Sequence, residues 1–361
     1  MTVHASCVRR AVIGTIAALG LSAPVAGCSE TPSPTAEPTT ATSTPTNPSS
    51  TPGATATAPT IPTSAVRPAG LIVFTKAGGA FSDDTPFVSR LDGSHEVELA
   101  ASGVTCCIRL SPDHRSILGA SVTKDDRITV GIFPLSGGRP RALPLPPGTL
   151  NLGPGAWTPD GQRVVVQGWD DSTESVSGMY LVDSVDGGHR VRLTRELRRT
   201  NDIPGDVSPD GTSLVFLREE AGATGNTSQG TLMIMRLDGA GGARPLVPAS
   251  VVVGLGSVRF SPDGRLVLFQ DGRTSQRGAL WTVHPDGSHL VKVFDHPELF
   301  ASHPTWSPDG TRILFALNPV ADFYTHPANA FYVMDADGSR VRQVGPSGPF
   351  KREAEWFIPG A

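Results

Sequence analysis

Six side chains stand two residues ahead of a recurring turn, at equivalent points of a repeated sequence: Arg109, Ala156, Asp206, Arg259, Thr305 and Glu355. Four are charged, and their signs balance. Guanidinium and carboxylate groups set around a common axis can pair with one another in a water-filled tunnel, or they can form a polar recognition surface in a concave opening. The sequence leaves both readings open. Arg259 lies one repeat from Asp206, and Arg109 one repeat from Glu355 across the chain ends, so these are the pairs to expect. Four residues ahead of the turn the series runs Cys107, Pro154, Pro204, Ser257, His303 and Glu353. That series puts His303 at the mouth of the same opening.

The remaining chemistry is sparse. Cys106 and Cys107 are adjacent, and neighbouring Cα atoms lie only about 3.8 Å apart, shorter than an ordinary disulfide span. A strained vicinal bridge, two reduced buried thiols, and a redox or ligand-binding pair are all open. The other histidines have no spacing that builds a metal site, and no metal or cofactor is expected. A Gly-x-Ser-x-Gly nucleophile elbow and a phosphate-cradling Gly-x-x-x-x-Gly-Lys loop are both missing. Acids recur in a third place, at Asp83-Asp84, Asp125-Asp126, Asp170-Asp171, Glu219-Glu220, Asp271 and Asp322. They form either an acidic rim or ordinary solubilising charge.

The elements that must position these groups are strands. The turns Ser111-Pro-Asp-His114, Thr158-Pro-Asp-Gly161, Ser208-Pro-Asp-Gly211, Ser261-Pro-Asp-Gly264 and Ser307-Pro-Asp-Gly310 begin 47, 50, 53 and 46 residues apart, a period in the propeller range. Between them come six further turns, including Leu91-Asp-Gly-Ser94 and Ala336-Asp-Gly-Ser339. Asp-Gly between apolar runs predicts a hairpin, of type I′ if both central residues take positive φ. Short runs such as Arg163-Val-Val-Val-Gln167 and Arg312-Ile-Leu-Phe315 are too brief for helices and have strand character. Each unit therefore reads as four antiparallel strands. Gly70-Leu-Ile-Val-Phe74 matches a second strand with no first strand before it, and Glu353-Ala-Glu-Trp-Phe357 matches a first strand. The fold class is thus all-β, a six-bladed propeller of four-stranded antiparallel blades in which one blade is closed by the N- and C-terminal strands. Closure removes the exposed edges of an open ring.

Trp306-Ser-Pro-Asp-Gly310 followed by Phe331-Tyr-Val-Met-Asp-Ala-Asp-Gly-Ser339 resembles the repeat of the TolB-like six-bladed propellers. The resemblance covers about residues 69 to 361. It implies the fold, while the repeat occurs in binding scaffolds, peptidase accessory domains and some polysaccharide lyases alike. TolB carries a small α/β domain ahead of its propeller; here a spacer stands in that place.

The N-terminus shows Arg9-Arg10, an apolar run from Ala11 to Ala26, and Gly27-Cys28. This is the pattern of a secretory leader, and Val25-Ala-Gly-Cys28 resembles the bacterial lipobox, which implies lipid on Cys28. Residues 29 to 68 are almost wholly Thr, Ser, Pro and Ala, with Glu30, Glu37 and Arg67 the charges. Such a composition cannot bury a core, and fully extended it would reach about 120 Å. The expected organisation is a lipoprotein signal peptide over 1–27, a lipidated Cys28 with a disordered linker over 28–68, and a propeller over 69–361. A net charge of −4 argues against nucleic acid as a partner and leaves the N-terminal lipid as the only membrane contact. The reading is a lipid-anchored module outside the cytoplasm that binds an envelope protein or peptide at the channel. The alternative is a metal-assisted enzyme acting on carbohydrates or lactones.

Overall fold

The protein is described by a computed structural model over residues 70–359, apart from 78–83, 100–103, 105, 126, 146–149, 171–175, 197–199, 222–227, 252, 254–256, 272–277, 320–328 and 349. The leader, Cys28 and the linker lie outside the described residues. So do Asp83, Asp126, Asp171 and Asp322.

Six four-stranded antiparallel sheets make the ring. Blade one holds β1 (Leu71–Ala77), β2 (Asp84–Arg90) and β3 (Val97–Glu98), and its inner strand is β24, introduced below. Blade two is β4 (Arg109–Leu110), β5 (Ser116–Val122), β6 (Ile128–Pro134) and β7 (Arg141–Ala142). Blade three is β8 (Asn151–Trp157), β9 (Arg163–Trp169), β10 (Gly178–Asp183) and β11 (Val191–Arg192). Blade four is β12 (Thr200–Val207), β13 (Ser213–Ala221), β14 (Ser228–Arg236) and β15 (Arg244–Pro245). Blade five is β16 (Arg259–Phe260), β17 (Val267–Gln270), β18 (Leu280–Val283) and β19 (Val291–Phe294). Blade six is β20 (Leu299–Trp306), β21 (Arg312–Pro319), β22 (Asn329–Asp335) and β23 (Arg342–Gly348), and β24 (Phe350–Phe357) returns to blade one. The closing register is Leu71 opposite Phe357, Ile72 opposite Trp356 and Val73 opposite Glu355. The sequence-based expectation of a split blade is met.

The apolar runs are continuous because the middle strands are buried on both faces, as in parallel sheets covered on either side. Val164 and Val166 fill the seam between blades two and three, while Val165 points into the seam between three and four. Phe216 likewise faces blade three and Val215 faces blade five. Every seam around the ring holds a hydrophobic cluster, the one between blades two and three holding a second, smaller one at Ala120, Ile128 and Trp169, and Ile72, Phe74 and Trp356 with Leu314, Phe331 and Val333 fill the seam between blades six and one. A buried side chain of this size contributes about 1.5–3 kcal/mol, so adhesion between blades dominates the stability.

The two turn types differ in construction. In each Ser-Pro-Asp turn the hydroxyl donates to the Asp carboxylate, as Ser208 Oγ does to Asp210 Oδ1 at 2.5 Å, and accepts the N–H five residues on, here Ser213 N at 2.9 Å. Asp210 also accepts the Thr212 N–H at 3.0 Å. The same three bonds recur at Ser111, Thr158, Ser261 and Ser307. The Asp-Gly hairpins depart from type I′. Gly93 has φ +78° and Gly338 +87°, but Asp92 and Asp337 do not share positive φ. The Gly93 N–H bonds the Arg90 carbonyl and the Arg90 N–H bonds that of Ser94, which is a type I turn followed by a left-handed glycine. Asp92 keeps negative φ because its carboxylate is engaged forward, on the Ser94 N–H at 3.0 Å.

Candidate functional site

The six residues ahead of the turns occupy identical register. Glu355 faces Val73, Arg109 faces Leu118, Ala156 faces Val165, Asp206 faces Val215, Arg259 faces Leu268 and Thr305 faces Leu314. All six line one cavity of about 290 Å³, together with Trp157, Trp306 and Trp356 and the turn prolines Pro112, Pro159, Pro209, Pro262 and Pro308. The turn prolines form a collar, and Pro112, Pro159, Pro209 and Pro262 each lie near the glycine of the next turn; a Cβ on Gly310 would lie 3.4 Å from Pro262 Cδ. The mouth is therefore apolar and the wall behind it is charged.

What aims these side chains is a bulge in the inner strand, which the sequence reading missed. Register shifts fall between Pro154 and Ala156, Pro204 and Asp206, and Ser302 and Thr305, and opposite Val73–Thr75 in β24. A bulge re-aims the strand. In blades three and four the signal is Pro-Gly: a Cβ on Gly155 would meet the Val165 carbonyl at 2.4 Å and one on Gly205 the Val215 carbonyl at 2.8 Å. Elsewhere the strain is carried by Cys107 (φ +67°), His303 (φ +51°) and Glu353 (φ +57°).

The charges do not pair as neighbours. Arg259 Nη2 reaches past blade six to Glu355 Oε1 at 2.5 Å. Thr305 is the residue that the intervening blade contributes to the same wall. Asp206 is instead held by main chain, accepting from Val207 N at 3.0 Å and from Phe260 N of blade five at 2.9 Å. Burial, opposed by the Arg259 charge, pushes its carboxyl up to about 6. Arg109 makes no ion pair with Glu355; its Nη1 donates to the Ile108 carbonyl at 2.9 Å. Burial and then the like charge of Arg259 bring its guanidinium down to about 10.

His303 does not line the cavity. Its ring lies further in, with Nδ1 buried and unpartnered, and burial pushes it down to about 4. Glu353 is the residue that sequence reasoning passed over: its Oε2 accepts Cys107 N at 2.7 Å and Ile108 N at 3.0 Å, stapling blade one to blade two. The described acids of the middle loops do not share one environment: Asp125 is exposed and Asp271 half-buried. Asp84, Asp170 and Glu219 are buried, and Asp84 pairs with Arg352. Asp202 similarly holds Arg218 at 2.7 and 2.9 Å. Among the described residues no three His, Cys, Asp or Glu side chains gather as metal ligands.

Cys106 and Cys107 are joined as a vicinal disulfide with Cα atoms 3.8 Å apart. The protein purified without reductant is expected to be two hydrogens lighter than its reduced form and to take up iodoacetamide at these positions only after reduction. Alkylation of both thiols in the untreated protein would show that they are not bridged.

This ring matches solved structures. TolB from Acinetobacter baumannii superposes with a TM-score of 0.58 at 17% identity, over 80% of this chain and 66% of that one. The fold is that of the TolB propellers. A putative TolB from Agrobacterium tumefaciens gives 0.55 at 20% identity, over 80% and 98%, and a chain of a nidogen/laminin complex gives 0.52 at 12% identity, over 77% and 94%. No family model matches the sequence, and no curated protein does. The likeness to the TolB propellers is therefore one of fold.

Proposed function

We propose that the protein is a binding module of the cell envelope, held outside the cytoplasm by lipid on Cys28, which receives a protein or peptide at the mouth of the propeller channel. The observation that carries this reading is the cavity wall itself, to which each of the six blades contributes one residue at the same register. Such a site exists only in the closed ring. Concave openings with an apolar rim and a few convergent polar groups are where ligands bind. The address comes from Val25-Ala-Gly-Cys28 and the Thr/Ser/Pro/Ala-rich stretch behind it: residues 1–27 are removed, 28–68 act as the tether and 69–361 carry the binding face. TolB propellers share the fold, and so does a chain of the nidogen/laminin complex, an assembly of proteins. Both agree with a propeller used for protein contact.

Photocrosslinking in the cell tests the reading. A photoreactive residue at Pro112 or Pro209, both exposed at the collar, is expected to trap a discrete partner. One at Val291 on the outer strand of blade five, 50% exposed, is expected to trap none. Equal trapping from all three positions, or none from the collar, would reject the channel as the binding face.

A further inference from the structure

We propose that the channel mouth recognises a carboxylate, that of a peptide chain end, through Arg109. The inference rests on the binding reading above and names the chemistry of its ligand. It follows from counting the donors and acceptors that face the cavity. Asp206 spends both oxygens on main-chain N–H groups. Arg259 is joined to Glu355 and to the Val258 carbonyl. Arg109 has one bond, to Ile108 O, and its Nε is buried without a partner. Trp306, a second cavity wall, also has an unpartnered buried Nε1–H. Glu355 gives one oxygen to Arg259, and the buried donors left without a partner in the wall are those of Arg109 and Trp306.

A guanidinium offers five N–H donors in a planar fork that matches a carboxylate in two-point contact. Leaving such donors buried and unmade is costly, so the site gains most from an anionic acceptor. The like charge of Arg259 beside Arg109 favours an added anion, against the nearby carboxylates of Glu355, Glu353 and Asp206. The collar decides what carries the carboxylate. Proline and tryptophan walls suit an apolar stem more than a small hydrated anion, and a cavity of about 290 Å³ admits a chain end and excludes a folded domain.

The test is binding of the full-length protein in detergent to three probes, read by calorimetry: N-acetyl-Ala-Ala-Phe as the free acid, the same peptide as its C-terminal amide, and N-acetyl-Ala-Asp-Phe amide. The free acid is expected to bind at least tenfold tighter than its amide, a preference that Arg109→Met abolishes. This comparison on the unaltered protein needs no variant to fold. Equal binding of acid and amide, failure of all three probes to bind, or a preference that survives in folded Arg109→Met would overturn the proposal. If the aspartyl amide binds as tightly as the free acid, the carboxylate is a side chain's and the chain-end assignment falls. Collar crosslinks that persist beside a failed preference would sink this inference alone, whereas their absence would sink the binding reading itself.

Discussion

Arg259→Met is expected to cost the propeller about 3–5 kcal/mol, the usual penalty for stripping one partner from a buried ion pair, and to lower Tm by about 10 °C. Glu355 would be left facing the channel with its carboxylate uncompensated, in a seat where the two side chains are 6% and 15% exposed. The double variant Arg259→Met/Glu355→Gln should recover most of the loss, because no bare charge then remains. Chemical denaturation of the two singles and the double gives the coupling directly. If Arg259→Met unfolds within about 1 kcal/mol of wild type, the pair does not hold the ring, and the cross-channel contact carries little energy. This has a practical side: replacing Arg109, Arg259 and Glu355 together by alanine would confound binding with ring integrity, so Arg109 is the residue to vary when binding is the question.

Stability should rise as the pH falls from about 6 toward 4, and collapse below that. Asp84, raised to about 6 by burial and the nearby Glu353, and Asp206, raised to about 6 by burial, hold protons in the fold across a window where the unfolded carboxylates, near 3.8, have lost them. His303 works the other way, staying neutral down to about 4 while the unfolded imidazole, near 6.5, is protonated. Within the window these three groups bind two protons in the fold and one in the unfolded chain. Linkage then makes the folded state gain roughly 1 kcal/mol for each pH unit of acidification. Below about pH 4 the sign reverses. Asp113, Asp160, Asp210, Asp263 and Asp309 are held below their usual range, first by the hydroxyl of their own turn, and protonating them removes that stabilisation. Urea midpoints at pH 5 and 7 decide the matter: a higher midpoint at pH 7 would refute it, and Asp206→Asn should flatten the dependence.

Much of this was legible in the chain. Turn spacing alone aligns the six inner strands, and that alignment makes Arg109, Ala156, Asp206, Arg259, Thr305 and Glu355 one set, as the cavity wall does. Local chemistry repeated five times leaves little ambiguity. The partners inside the set were not legible, because they depend on radial distance and reach. Arg259 meets Glu355 two blades away, where sequence spacing pointed to Asp206 of the adjacent blade. Neither was the bulge, whose effect is to place Glu353 against the main chain of blade two and to draw His303 away from the mouth. The Asp-Gly dipeptide is ambiguous for a further reason: it serves a type I′ turn and a type I turn with a left-handed glycine equally well, and the difference lies in whether the aspartate side chain is engaged.

The pairing of β1 with β24 also dictates an order of events. Within a blade the strands are neighbours in sequence and need only short loops, so they can form as the chain is made. The ring cannot, because the inner strand of its first blade is synthesised after every other described strand. Until residues 350–357 emerge, β1 has an unpaired edge and the seam built on Ile72, Phe74 and Trp356 is unfinished. A chain threaded vectorially, N-terminus first, would therefore keep its ring open until β24 has followed all the other blades, and the cavity, which needs Glu355, would be completed only then.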